Sequence, residues 1–153
     1  MTNNNLDKIT NILNDFLKPF DCVAEPGTDF AYCPATSTIY FAFVVNDKFA
    51  ESFLTFAKSL HNVEADIFLW SFMHELGHHE TEDEFDDEDE EMYRFRLLFQ
   101  KMTDEEYYNL PQEYAATDWA GAYMRTHEEE VSKLWETLTP AIKDFYKEME
   151  IEI

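Results

Sequence analysis

Two histidines four positions apart, with a glutamate directly after the first, carry the chemistry most open to this chain: His74-Glu75-Leu76-Gly77-His78. On a helix, residues four apart lie one above the other on the same face. His74 and His78 then aim two imidazole nitrogens at one point. Such a pair binds Zn²⁺ at about 2.0–2.1 Å, and a catalytic zinc needs one further protein ligand and an open position for water. Glu75 lies about 100° further round the helix. That offset keeps it off the metal and beside the open position, where it serves as general base. The string also arises by chance, so the competing reading is a core helix whose histidines happen to be spaced by four. A buried motif helix and a third ligand on a later helix decide between them.

The motif helix is readable. Asn62 is a good N-cap, Glu64 and Asp66 suit a helix start, and Ile67, Phe68, Leu69, Trp70, Phe72, Met73 and Leu76 are apolar nearly all round. Such a helix is buried, and two unpaired histidines in it are costly unless a metal takes them. Gly77 leaves room for a strand or peptide to approach. The third ligand is a carboxylate or histidine further on. Pro111 fits the first turn of a helix that contains Glu113, Ala116, Thr117 and Ala120. Small residues on the face of Glu113 let that helix lie close to the histidines, so Glu113 is the expected ligand. Its competing role is an exposed glutamate favoured by the helix dipole.

The remaining elements frame this pair. Leu6, Ile9, Ile12, Leu13, Phe16 and Leu17 give a helix over 6–18 that Pro19 ends. Short strands are expected at 20–24, 30–33 and 38–45, with turns at 25–29 and 34–37, forming a meander. A helix over 48–60 precedes the motif helix. Residues 80–91 are almost all acidic and read as a solvated loop; a Ca²⁺ loop would need a glycine at its bend, which is missing. Helices follow over 92–100 and from the capping box at Thr103. In the region 126–153, a second capping box at Thr126 and the Thr139-Pro140 pair open two more.

Composition sets limits. With 153 residues, 45% of them apolar, the chain supports one domain, 1–153, with one core. A net charge of −22 repels nucleic acid and anionic membranes and favours basic protein partners. The start of the chain lacks the basic and apolar run of a secretion signal, and the longest apolar run, Ile39 to Val45, is too short to span a bilayer. A cytoplasmic protein is expected, with Cys22 and Cys33 as free thiols that would bridge only after export.

His74-Glu75-Leu76-Gly77-His78 followed by Glu113-x-x-Ala116-x-x-Trp119-Ala120 resembles the ImmA/IrrE-type zinc metallopeptidases. That family pairs a His-Glu-x-Gly-His helix with a downstream Glu-x-x-Ala-Asn-x-Phe-Ala segment, after a helix and a small antiparallel sheet. The resemblance covers residues 1–125. It implies a gluzincin-like fold, zinc on His74, His78 and Glu113, Glu75 as general base, and a helix-turn-helix repressor as substrate. Thr117 stands where the family has Asn, Trp119 where it has Phe, and Ala122-Tyr123-Met124-Arg125 where it has Leu-Leu-Met-Pro. Many gluzincins orient a histidine with an Asp four residues after the ligand Glu; Thr117 holds that place and Asp118 follows it. Tyr123, His79 and His127 are the candidates for stabilising an oxyanion.

The expected fold is therefore α+β: a mostly helical zincin-like domain with a small three-stranded antiparallel sheet near the motif helix. The expected function is zinc-dependent hydrolysis of a peptide bond in a specific protein, a basic DNA-binding repressor. The alternative is a catalytically weak or inactive zinc-binding acidic protein that sequesters a basic partner.

Overall fold

The computed structural model describes residues 4–43 and 47–152. Among them the chain forms seven α-helices and three short strands. Helix α1 (Asn4–Leu17) buries Ile9, Leu13 and Leu17, and a 3₁₀ turn over Lys18–Phe20 follows. Strands β1 (Val23–Pro26), β2 (Ala31–Cys33) and β3 (Thr38–Phe41) come next. Asn14 ties α1 to β1 as a neighbouring strand would: its Oδ1 accepts from the Ala24 N–H at 2.8 Å and its Nδ2 donates to the Ala24 carbonyl at 3.1 Å.

The sheet departs from the expected meander. Its order is β1-β3-β2, with β2 antiparallel to β3 but β1 parallel to it. Burial explains the order. In β3, Thr38, Ile39 and Phe41 are all buried, so the most apolar strand takes the centre, whereas β2 buries none of its residues and lies on an edge. Pro26, which lacks an N–H, is tolerated because β1 is the other edge. The first strand also starts later than expected: Phe20 belongs to the 3₁₀ turn, and Glu25 and Pro26 are paired rather than turning. The expected extension of β3 to Val44 and Val45 lies outside the described residues.

Helix α2 (Asp47–Leu60) leads to α3 (Ile67–Thr81), the motif helix. Its N-cap is Asp66, whose carboxylate accepts from the Phe68 N–H at 2.8 Å, not Asn62. As expected, α3 is buried nearly all round, with Trp70, Phe72, Met73 and Leu76 fully enclosed. Phe68 packs against Phe30, Phe41 and Phe43, which seats the sheet on the helix start.

The acidic stretch is not a loop. After a 3₁₀ turn at Glu82–Glu84, helix α4 (Asp87–Phe99) begins five residues before the expected Met92. Asp86 and Asp89 form a reciprocal capping box, and the four acidic residues of the first turn face the positive end of the helix dipole. Helix α5 (Asp104–Tyr108) starts at its capping Thr103 as expected, and α6 (Pro111–Thr126) at Pro111. The last region is one helix, α7 (Glu128–Glu152), rather than two. Thr126 closes α6, donating to the Ala122 carbonyl at 2.8 Å. Pro140 lies inside α7. Leu134, Leu138, Ala141 and Phe145 stay buried on either side of it, and the packing of α7 on α1 outweighs the roughly 3 kcal/mol that an interior proline costs.

The tightest pairing is α3 with α6. Ala116, Thr117 and Ala120 are buried on α6. A Cβ on Gly77 would sit 2.9 Å from the Ala116 Cα and carbonyl carbon. Gly77 therefore admits the backbone of α6, where the sequence suggested a strand or peptide. This close approach sets the Glu113 carboxylate against the histidines.

Candidate metal centre

His74 and His78 lie one turn apart on α3 with ring centroids 4.8 Å apart. Glu113, in the first turn of α6, reaches between them. Its Oε1 stands 3.1 Å from His74 Nε2 and its Oε2 3.1 Å from His78 Nε2. The three offer one ligand atom each, all within 4.8 Å of one another.

The fit of a metal ion can be tested on hydrogens. The Thr117 hydroxyl has one proton, and it donates to the Glu113 carbonyl at 3.1 Å. It must therefore accept from His74 Nδ1–H, 2.9 Å away. In a neutral ring this leaves the Nε2 lone pair pointing at a carboxylate oxygen. Two acceptors face each other in a site where Glu113 is 2% exposed. Either a proton held between the two atoms or a metal ion resolves the conflict. Two imidazoles and a carboxylate are a ligand set of catalytic zinc, so the residues fit the group.

The protonation balance reads the same way. Burial pushes the Glu113 carboxyl up, but hydrogen bonds from His74 and His78 overcome this and hold it well below the usual carboxylate range. Burial pushes His78 down, and the hydrogen bond and charge of Glu113 more than reverse it. Glu75 stays outside the cluster. Burial raises its carboxyl, His74 and His78 oppose the rise, and Glu113 adds to it.

Glu75, His78 and Glu113 form the floor of an open cleft of about 680 Å³. Residues Phe30 to Tyr32 form one wall, and Glu90, Tyr93 and Tyr107 another. Because β2 pairs only with β3, its outer edge carries no strand among the described residues. The Tyr93 hydroxyl donates to Glu113 Oε2 at 2.5 Å. Burial, then the charge of Glu113, holds both the Tyr93 and Tyr107 phenols well above their ordinary range, so they are neutral donors. No spacing in the sequence pointed to either tyrosine, since both sit on helices that only the fold swings over the motif.

Of the other residues named from sequence, Thr117 is in place behind His74. Asp118 is not: its Oδ1 pairs with His61 Nε2 at 2.8 Å. Tyr123 stacks on Trp119 and His127 and meets Phe16 and Phe20 edge-on, away from the cleft. His127 is held on that ring at the end of α6. His79 spends both nitrogens on the framework, with Nε2 2.7 Å from the Phe20 carbonyl and Nδ1 2.7 Å from the Tyr32 hydroxyl. None of these four lines the cleft. Cys22 and Cys33 are free and stand outside the cluster. Among the described residues no helix is long and apolar enough to cross a membrane.

No protein-family model matches this chain, and no curated protein or solved structure does.

Proposed function

We propose that the chain is a zinc-dependent metallopeptidase acting in the cytoplasm on a basic protein. The observation that carries this reading is the juxtaposition of the His74–His78–Glu113 cluster with a separate buried carboxylate, Glu75, on the floor of a cleft that has a free strand edge along one wall. Zinc bound by the three residues would supply a Lewis acid that polarises the scissile carbonyl and acidifies water. The chain does the rest. An extended peptide would lie along the outer edge of β2, adding a strand through backbone hydrogen bonds. Glu75 would take the proton from the attacking water and deliver it to the leaving amine. The hydroxyls of Tyr93 and Tyr107 would donate to the developing oxyanion. A surface of net charge −22 would draw a basic substrate, and a DNA-binding repressor is the class we favour.

The test is Glu75→Gln beside wild type, His74→Ala and Glu113→Ala, each with zinc content measured and each incubated with a quenched-fluorescent peptide library. Wild type and Glu75→Gln should hold one zinc and the other two should lose it, while only wild type cleaves. Cleavage by Glu75→Gln at the wild-type rate would remove the mechanism, and a wild type that takes up no zinc would remove the site.

One observation favours a second reading. Tyr93 already occupies Glu113 Oε2, as it would in a zinc-binding protein that sequesters a basic partner and cleaves nothing. Stoichiometric inhibition of that partner, undiminished in Glu75→Gln, would select this reading.

A further inference from the structure

Helix α4 has no buried residue, and among the described residues no other element packs broadly along it. A helix of 13 residues is marginal in water by itself. Its capping box and two threads to α6 hold it: Tyr93 to Glu113, and the Asp89 carbonyl, which accepts from Gln112 Nε2 at 3.2 Å. Both threads leave from its inner side. The outer side is apolar where solvent should favour polar residues. Met92 is 52% exposed, Phe95 57%, Leu98 75% and Phe99 74%. With Glu88 and Glu91 they recur at spacings of three and four and fall within an arc of about 120°. A contiguous apolar stripe of this kind on a surface marks an interaction site.

We propose that the outer face of α4 docks a cationic amphipathic helix of a partner protein, with Phe95, Leu98 and Phe99 taking its apolar side and Glu88 and Glu91 its basic residues. Charge selects this occupant. The stripe is acidic at one end and apolar at the other, and the chain carries a net charge of −22. Two copies, each of net charge −22, repel one another, and an anionic membrane is repelled in the same way. A basic helix meets both halves of the stripe. The opposite side of α4 carries Tyr93 and Glu90 into the cleft, so a protein caught here is held beside the candidate metal centre. The docking stands on α4 alone; only its use in delivering a substrate rests on the peptidase reading.

The experiment measures binding of a fluorescein-labelled Leu/Lys amphipathic peptide to the full chain, with a Leu/Glu peptide of the same pattern as control. The Leu/Lys peptide should bind and the Leu/Glu peptide should not. Phe95→Ser/Leu98→Ser/Phe99→Ser should weaken binding roughly a hundredfold. Glu88→Gln/Glu91→Gln should weaken it roughly tenfold and flatten its salt dependence. Glu128→Gln/Glu129→Gln, equally exposed on α7, should leave it unchanged. All the replaced side chains are exposed, and circular dichroism verifies the fold. Equal binding by the triple serine variant, or equal weakening by the α7 pair, would overturn the proposal in favour of a general acidic surface. A dimer in sedimentation that the triple variant loses would assign the stripe to a second copy. Binding to neutral lipid vesicles in place of the peptide would assign it to a membrane. Metal-free protein and Glu75→Gln should bind the probe as wild type does, so failure here and failure of the peptidase reading are separately visible.

Discussion

Thr117 Oγ1 lies 2.9 Å from His74 Nδ1, and this contact decides which nitrogen of that ring faces Glu113. The hydroxyl is itself committed by its own proton, given to the Glu113 carbonyl one turn back. One residue thus links the first histidine to the helix that carries the carboxylate. Thr117→Val keeps the shape, removes the acceptor and strands a buried N–H. Loss of such a supporting contact typically costs about 10–100-fold in metal affinity. Competition against a chromogenic chelator should show that loss in Thr117→Val and near-normal affinity in Thr117→Ser. Unchanged affinity in Thr117→Val would mean that packing alone orients His74.

Tyr93, on the cleft wall, donates its hydroxyl to Glu113 Oε2 at 2.5 Å. Its raised phenol keeps its proton at neutral pH, as an oxyanion donor must. Removing one such donor typically lowers kcat by about 10²–10³. Tyr93→Phe should therefore show that fall in kcat with KM and zinc content little altered. Wild-type kcat together with tighter zinc binding would instead make Tyr93 a plug on the carboxylate.

The two thiols should differ sharply in reactivity. Cys22 is buried, and burial, followed by the charges of Glu80, Asp21 and Glu82, pushes its thiol up to about 12. Cys33 lies at the end of the edge strand β2, where hydrogen bonding to the Thr36 side chain and backbone pulls its thiol down. The thiolate is the nucleophile. Iodoacetamide on the native protein at neutral pH should label Cys33 within minutes and leave Cys22 untouched until denaturant is added. Equal labelling of the two, read by peptide mass mapping, would contradict the buried position of Cys22.

The His74–His78–Glu113 cluster was legible because its parts obey short-range rules. Residues four apart on a helix share a face, and a small-residue face on a later helix predicts close approach; together these placed His74, His78 and Glu113. The sheet order was not legible. Nothing in the pattern of β1 says which strand it pairs with; once the buried β3 takes the centre, the two chain reversals between them make β1 and β3 parallel. The acidic stretch misled for a different reason. A run of carboxylates reads as solvated coil, yet at the start of a helix the same charges complement its dipole, and the box between Asp86 and Asp89 made α4. Pro140 misled in the opposite sense, since an interior proline yields to a well-buried helix face. Tyr93 and Tyr107 had no local signal, because their role depends on where α4 and α5 come to rest over α3.

Gly77 tests the close approach on which the centre depends. It sits between the two histidines, and a Cβ there would press on the Cα and carbonyl carbon of Ala116 at 2.9 Å. Those are backbone atoms, so no side-chain rotation relieves the contact; α6 must move. Two effects of Gly77→Ala oppose each other. Alanine favours the helix by about 1 kcal/mol. Forcing extra volume into a packed interface costs about 1–3 kcal/mol, and more where neither backbone yields. The second should win, so urea denaturation of metal-free Gly77→Ala should show lower stability than wild type. Displacing α6 also carries Glu113 away from His74 and His78, so zinc affinity should fall in step, although no ligand has been changed. A variant as stable as wild type, with zinc affinity intact, would show that α6 can shift without disturbing the cluster, and would remove Gly77 from the account of how the centre is built.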